Sequence, residues 1–277
     1  MDDDRYLWLE DITGDDALAW VRRHNEPTLA ELGGERFETM REQALEILDT
    51  DARIPYVRRR GEYLYNYWRD AEHPRGLWRR TTLDAYRSDS PDWDVLVDLD
   101  ALAEADGEKW VWAGADVIEP DHTLALVELS RGGSDATVVR EFDMRTREFV
   151  VDGFTVPEAK TSISWENRDT VLVGTDFGPD SLTDSGYPRI TKRWHRGQPL
   201  SDARTVFEGA PSDVSVGVGF DPTPGFERLL ATRSVDFFNR ERFEIRDGEL
   251  LRIDVPTDAG ISIHREWLLI RPRTDWT

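Results

Sequence analysis

The chain has 277 residues, no cysteine, and 56 acidic against 35 basic residues, for a formal net charge of −21. That length can bury a substantial core, and that charge argues against nucleic acid as a partner, because phosphates would be repelled. The missing cysteine excludes disulfides, thiolate nucleophiles and cysteine-held metals.

The N-terminus, Met1-Asp2-Asp3-Asp4-Arg5, is acidic and leads into no apolar leader. No apolar run approaches membrane-spanning length. The expectation is a cytoplasmic protein with no membrane contact. Lysine occurs only at Lys109, Lys160 and Lys192, while arginine is plentiful.

Residues 5–50 have helical periodicity. Thr13-Gly14-Asp15-Asp16 is a helix start with acidic residues in the first turn, and Ala17, Trp20, Val21 and His24 follow at helical spacing. A second helix is predicted from about Arg36, with Phe37, Met40, Ala44, Ile47 and Leu48 on one face; Asp51 to Pro55 ends it. Two such helices are too short to make a domain, so their apolar stripes must pack on something. Either they pad the strands that follow or they bind a partner domain.

From residue 53 the pattern changes to short strands. Runs beginning near Tyr63, Leu124, Thr170, Arg228 and Glu266 recur after turns and are taken as the inner strand of each repeat. The clearest repeat spans Asp121 to Val151: Leu124-Ala125-Leu126-Val127-Glu128-Leu129, the turn Arg131-Gly132-Gly133-Ser134-Asp135, a strand to Asp143, and Glu148-Phe149-Val150-Val151. Spacings of roughly 40 to 60 residues with about four strands per period mark a β-propeller. A β-sandwich is the alternative. Trp68, Trp78, Trp93, Trp110, Trp112, Trp165, Trp194 and Trp267 lie in or beside these strands, where flat side chains would fill the wedge between blades. The reading is an all-β fold, a partial β-propeller over residues 53–277, preceded by a short N-terminal helical segment over residues 1–52.

Tyr6-Leu7-Trp8-Leu9-Glu10-Asp11, followed by Ala19-Trp20-Val21-Arg22-Arg23-His24-Asn25, resembles the opening of the prolyl oligopeptidase family. Leu129-Ser130-Arg131-Gly132-Gly133-Ser134-Asp135, with Asp143 downstream, resembles that family's turn between two strands of its second blade. Beyond about residue 160 only the strand rhythm carries the likeness. The resemblance implies a seven-bladed propeller capping an α/β-hydrolase domain, with the N-terminal helices against the hydrolase and a Ser-Asp-His triad late in the chain. On that expectation the chain supplies about four blades of the seven and the first strand of a fifth, Trp267 to Arg271. The hydrolase domain would be the partner of this portion, and short peptides the substrates of the whole.

The chain itself offers no catalytic residue. An α/β-hydrolase nucleophile needs Gly-x-Ser-x-Gly, which is absent; Gly132-Gly133-Ser134-Asp135-Ala136 lacks the last glycine and reads as a tight turn, in which Ser134 or Asp135 bonds local backbone. His24, His73, His122, His195 and His264 are scattered without metal-ligand spacing, so neither metal nor cofactor is expected. His122 and His264 both precede a recurring strand, which suggests equivalent turn positions. Asp98 with Asp100, or Asp176 with Asp180, could be imagined as a glycosidase's carboxylates. The loops Thr175-Asp176-Phe177-Gly178 and Arg233-Ser234-Val235-Asp236-Phe237 would face the channel or the partner domain, and Asp176 and Phe177 are the substrate-gating candidates. A non-catalytic interaction module is the alternative function. A propeller that stops short of closure should also associate with itself through uncovered strand edges.

Overall fold

In the computed structural model, which describes residues 4–276, the chain separates into two compact units. One runs to Ile54 and takes in Arg69–Pro74; the other holds Pro55–Trp68 and the chain from Arg75. In the first unit, α1 (Asp15–Leu32) begins after Gly14 with Asp15 and Asp16 in its first turn, where carboxylates meet the positive end of the helix dipole. Gly33 and Gly34 separate it from α2 (Glu35–Asp49). Leu29, Leu32, Met40, Ile47 and Leu48 on these helices are all more than half exposed. No helix among the described residues is long and apolar enough to cross a membrane.

The second unit is a succession of antiparallel meanders. β1 (Arg58–Arg60), β2 (Tyr63–Trp68), β3 (Leu77–Thr82) and β4 (Asp94–Asp98) form the first sheet. The helix α3 (Leu83–Tyr86) lies between its last two strands, and α4 (Leu99–Asp106) leads to the second sheet. That sheet holds β5 (Trp110–Val117), β6 (Leu124–Arg131), β7 (Thr137–Asp143) and β8 (Glu148–Phe149), with β9 (Thr155–Ala159) also paired to β7. The third contains β10 (Ser162–Asn167), β11 (Thr170–Gly174), β12 (Ile190–His195) and β13 (Arg204–Glu208). The fourth contains β14 (Ser215–Asp221), β15 (Arg228–Ser234), β16 (Arg240–Arg246) and β17 (Glu249–Arg252). Last come β18 (Gly260–His264) and β19 (Trp267–Arg271), a two-stranded sheet. The end of the chain thus supplies two strands of a fifth sheet, where the sequence pattern showed only the more apolar one.

The five recurring runs are β2, β6, β11, β15 and β19, the second strand of each meander rather than the innermost. Position explains their composition. In the complete sheets a second strand has a neighbour at each edge, and in the second and third sheets its faces touch a sheet on either side. Such a strand is buried on both faces and reads as continuous apolar sequence. β11 is buried throughout, and β6 is buried at all but Glu128 and Arg131.

Strand alternation divides each run between two cores. Ala125, Val127 and Leu129 point from β6 into a cluster with Tyr65 and Trp78 of the first sheet; Leu124 and Leu126 point the other way, toward Ile163 and Trp165 of the third. β11 repeats the division, with Val171 and Val173 facing back and Leu172 forward to Val216, Val218 and Ala231. Each cluster joins one sheet to the next in the chain. This is the packing of propeller blades, not of two face-packed sheets. Trp68, Trp78, Trp110, Trp165 and Trp194 are buried. Trp267 departs from the expected wedge role and is 64% exposed, because among the described residues β19 pairs only with β18. Between the fourth sheet and this pair lies a cavity of about 320 Å³ beside Ala231, Phe243, Ile261 and Ile263.

Candidate functional site

The first strands of the second, third and fourth sheets adjoin one another. The Trp165 backbone N–H on β10 donates to Asp116 Oδ2 on β5 at 3.1 Å, and its indole Nε1 donates to the Asp116 carbonyl at 3.0 Å. Ser164 Oγ reaches the Val218 carbonyl on β14 at 3.5 Å. Their sequences fit such an approach: Ile163 and Trp165, or Val216 and Val218, turn into the cores, while Ser162, Ser164, Gly217 and Gly219 alternate with them. A Cβ at Gly217 would lie 3.7 Å from Ser162 Oγ, an ordinary contact.

Charged groups cluster beside this seam. Burial pushes the Asp116 carboxyl above its usual range, against the Trp165 N–H and the Arg60 guanidinium, which both favour the ionised form. Glu128, which sits on β6 opposite Gly114, is raised by burial first and by Asp116 second. Burial, then the charge of Arg58, holds Arg60 below its usual value. Two carboxyls of raised pKa are suited to hold protons, but no group in this cluster can serve as a nucleophile and no oxyanion site accompanies it. The arrangement is a partly buried polar cluster of both charges beside a seam of small residues. Its sequence signal was a single acid within an apolar strand, Trp112-Ala113-Gly114-Ala115-Asp116-Val117 and Leu124-Ala125-Leu126-Val127-Glu128-Leu129, which composition alone did not single out.

Asp176 and Phe177 open the long connection between β11 and β12. The Asp176 carboxylate accepts the Gly178 N–H at 2.8 Å and lies 3.2 Å from Ser181 Oγ, so it closes a local turn. Phe177 packs on the core between the second and third sheets, with Lys192 Nζ 4.2 Å from its ring centre. The structure does not bring either residue to Asp116 or Glu128. The other imagined carboxylate pair is also in local use. Asp98 caps α4 through the N–H groups of Asp100 and Ala101, and Asp100 accepts the N–H groups of Arg75 and Gly76.

The Gly132-Gly133-Ser134-Asp135 turn does more than bond its own backbone. Asp135 Oδ2 accepts the Tyr187 hydroxyl at 3.0 Å, and Lys160 Nζ lies 3.7 Å from the same oxygen and 4.0 Å from the Tyr187 ring centre. This clasp ties the second sheet to the third at the same end as the Asp176 connection. At the opposite ends of these strands, Glu141 lies almost fully buried and is gripped by Arg196 through two bonds of 2.9 and 3.0 Å. The turn positions of the histidines differ by one residue. His122 takes a positive φ of 51°, and its counterpart two residues before β19 is Arg265 at 53°, not His264. Among the described residues no group of three or more His, Asp or Glu could hold a metal ion.

The model of the prolyl oligopeptidase N-terminal beta-propeller domain matches residues 2–222. Uncharacterized peptidase y4nA of Sinorhizobium fredii is 38% identical over 99% of this chain and 39% of its own length. Uncharacterized peptidase RP174 of Rickettsia prowazekii is 28% identical over 97% of this chain and 40% of its own. Among solved structures, a post-proline cleaving enzyme from Rickettsia typhi superposes with a TM-score of 0.88 at 28% identity, over 97% of this chain and 41% of that one. The chain therefore spans about 40% of the length of the curated relatives it matches.

Proposed function

We propose, from the premise that this chain belongs to the prolyl oligopeptidase N-terminal beta-propeller family, that it is the substrate-gating portion of a cytoplasmic serine peptidase cutting short peptides after proline. The observation that carries this reading is coverage: nearly the whole chain aligns with two-fifths of proteins that bear the name peptidase. The post-proline preference is the activity in the name of the Rickettsia typhi enzyme. The remaining length of the whole protein holds an α/β-hydrolase domain, in which a serine attacks the scissile carbonyl, a histidine takes and returns the proton, and an aspartate orients the histidine.

In this reading residues 53–277 restrict access by size and keep bulk water from the reacting centre. The polar seam around Asp116 and Glu128 lines the way in, and Asp176 and Phe177 touch the peptide where it leaves that passage. Residues 1–52 pack on the hydrolase domain. In support, Trp8 and Phe37 are 42% and 44% exposed, as large apolar groups are when their cover is another domain.

The purified chain is expected to leave a chromogenic proline-peptide substrate untouched and to take up no fluorophosphonate label. The coding sequence beyond Thr277 is expected to specify Gly-x-Ser-x-Gly followed by Asp and His. Turnover by the chain alone, abolished by a serine-directed inhibitor, would overturn the reading, and so would a downstream sequence without that pentapeptide.

A further inference from the structure

Apart from Arg265 in the β18–β19 turn, the arginines from β15 to just beyond β19 divide into two groups. Arg228, Arg233, Arg246 and Arg252 each meet a carboxylate: Asp221, Asp213 with Glu241, Glu244, and Glu241 respectively. The other four, Arg240, Arg242, Arg271 and Arg273, line one cavity of about 270 Å³ between β16 and the β18–β19 pair. None of the four is within ion-pair distance of a carboxylate among the described residues. Asp258 is the single acid on the wall and is not paired with them. What sets these four apart is that they share one space: in a chain of net charge −21, four guanidinium side chains line a single cavity with no carboxylate among the described residues paired to any of them.

The cavity is also shaped. Arg271 lies across Gly260, where a Cβ would come to 3.3 Å from its Nη2, so the absent side chain leaves room for the guanidinium. Arg242 is held below its usual pKa by burial and then by the charge of Arg240, and like charges on one wall repel unless an anion stands between them. The loop before β16 adds Phe237 and Phe238 at the rim, 83% and 67% exposed, with Arg273 5.9 Å from the Phe238 ring centre. Guanidinium forks match carboxylate geometry through paired N–H donors, and exposed aromatic faces take apolar side chains beside the charge.

We propose that this cavity binds an acidic peptide segment, its carboxylate held among Arg240, Arg242, Arg271 and Arg273 and an adjacent apolar side chain resting on Phe237 and Phe238. The site is distinct from the Asp116 seam and does not depend on the peptidase reading. It would act as an anchor for peptides that carry Asp, Glu or a free C-terminus.

Calorimetric titration of the 277-residue chain with acetyl-Glu-Phe-Glu-amide tests this, alongside acetyl-Gln-Phe-Gln-amide and inorganic phosphate. The glutamate peptide should bind at least tenfold more tightly than the glutamine peptide and than phosphate, and weaken as salt rises. Arg242→Gln with Arg271→Gln should weaken it a further tenfold or more, while Arg246→Gln, whose partner is Glu244, should leave it unchanged. If the double variant melts early, the exposed Arg273→Gln alone should still weaken binding several-fold. Equal affinity for the two peptides, no binding of either, or phosphate binding as tightly as the glutamate peptide would each overturn the assignment.

Discussion

Replacing Arg196 with methionine removes a buried polar tie between the second and third sheets. Glu141 has a side chain only 1% exposed, and its oxygens accept two N–H groups from Arg196 and the backbone N–H of Phe154 at 2.8 Å. The Arg196 guanidinium also donates to the Arg168 carbonyl at 2.7 Å and lies 4.7 Å from the Phe154 ring centre. Methionine keeps much of the apolar stem contact but leaves the carboxylate buried with one donor. Breaking a buried pair from one side costs about 3–5 kcal/mol, because an uncompensated charge remains. For a unit of this size each kcal/mol shifts the melting point by about 2–4 °C, so the fall should lie between about 6 and 20 °C.

Urea unfolding followed by tryptophan fluorescence suits the measurement, since Trp165 and Trp194 both pack on Phe154. Adding Glu141→Gln to Arg196→Met removes the charge and keeps an acceptor for the Phe154 N–H, so the double variant should regain most of the loss. A cost below about 1 kcal/mol for Arg196→Met, the range of an exposed pair, would refute the reasoning. So would a double variant no better than the single one.

Asp116→Asn preserves an acceptor for the Trp165 N–H and abolishes ionisation. A carboxyl with a raised pKa binds its proton more readily folded than unfolded, so its contribution is present at low pH and is lost as pH rises from the ordinary carboxylate value through the folded one. The variant should therefore melt above the parent at neutral pH and alongside it in acid, and a variant no more stable at neutral pH would count against buried charge at this seam. Self-association should rise with concentration in sedimentation, because among the described residues β19 pairs only with β18, and Trp267 and Leu269 are 64% and 58% exposed. Trp267→Glu should reduce it, and a single monomeric boundary at high concentration would sink this expectation.

Local chemistry made much of the fold legible. The acidic first turn of α1, the turns before β6 and β11, and the recurrence of the strand groups all follow from backbone preferences that act over a few residues. The helix α4 was not read from the sequence: Asp98 caps its start and Gly107 ends it in the left-handed conformation, but the paired acids Asp98 and Asp100 suggested chemistry instead. The place of each run in its sheet was not legible. A strand next to the innermost one and the innermost one itself differ in how many neighbours they have, and a linear sequence does not count neighbours.

By itself, then, the chain's order of residues determined its elements and their rhythm, along with the absence of a nucleophile elbow and of any cysteine chemistry. Tertiary structure alone decided which polar groups meet. Asp135 with Tyr187, Glu141 with Arg196 and Asp116 with Trp165 are each separated by about fifty residues. In a chain with 56 acidic residues any arginine has many potential partners in sequence. Only folding, which removes some of those carboxylates from water and leaves others solvated, selects the pair whose separation would cost most.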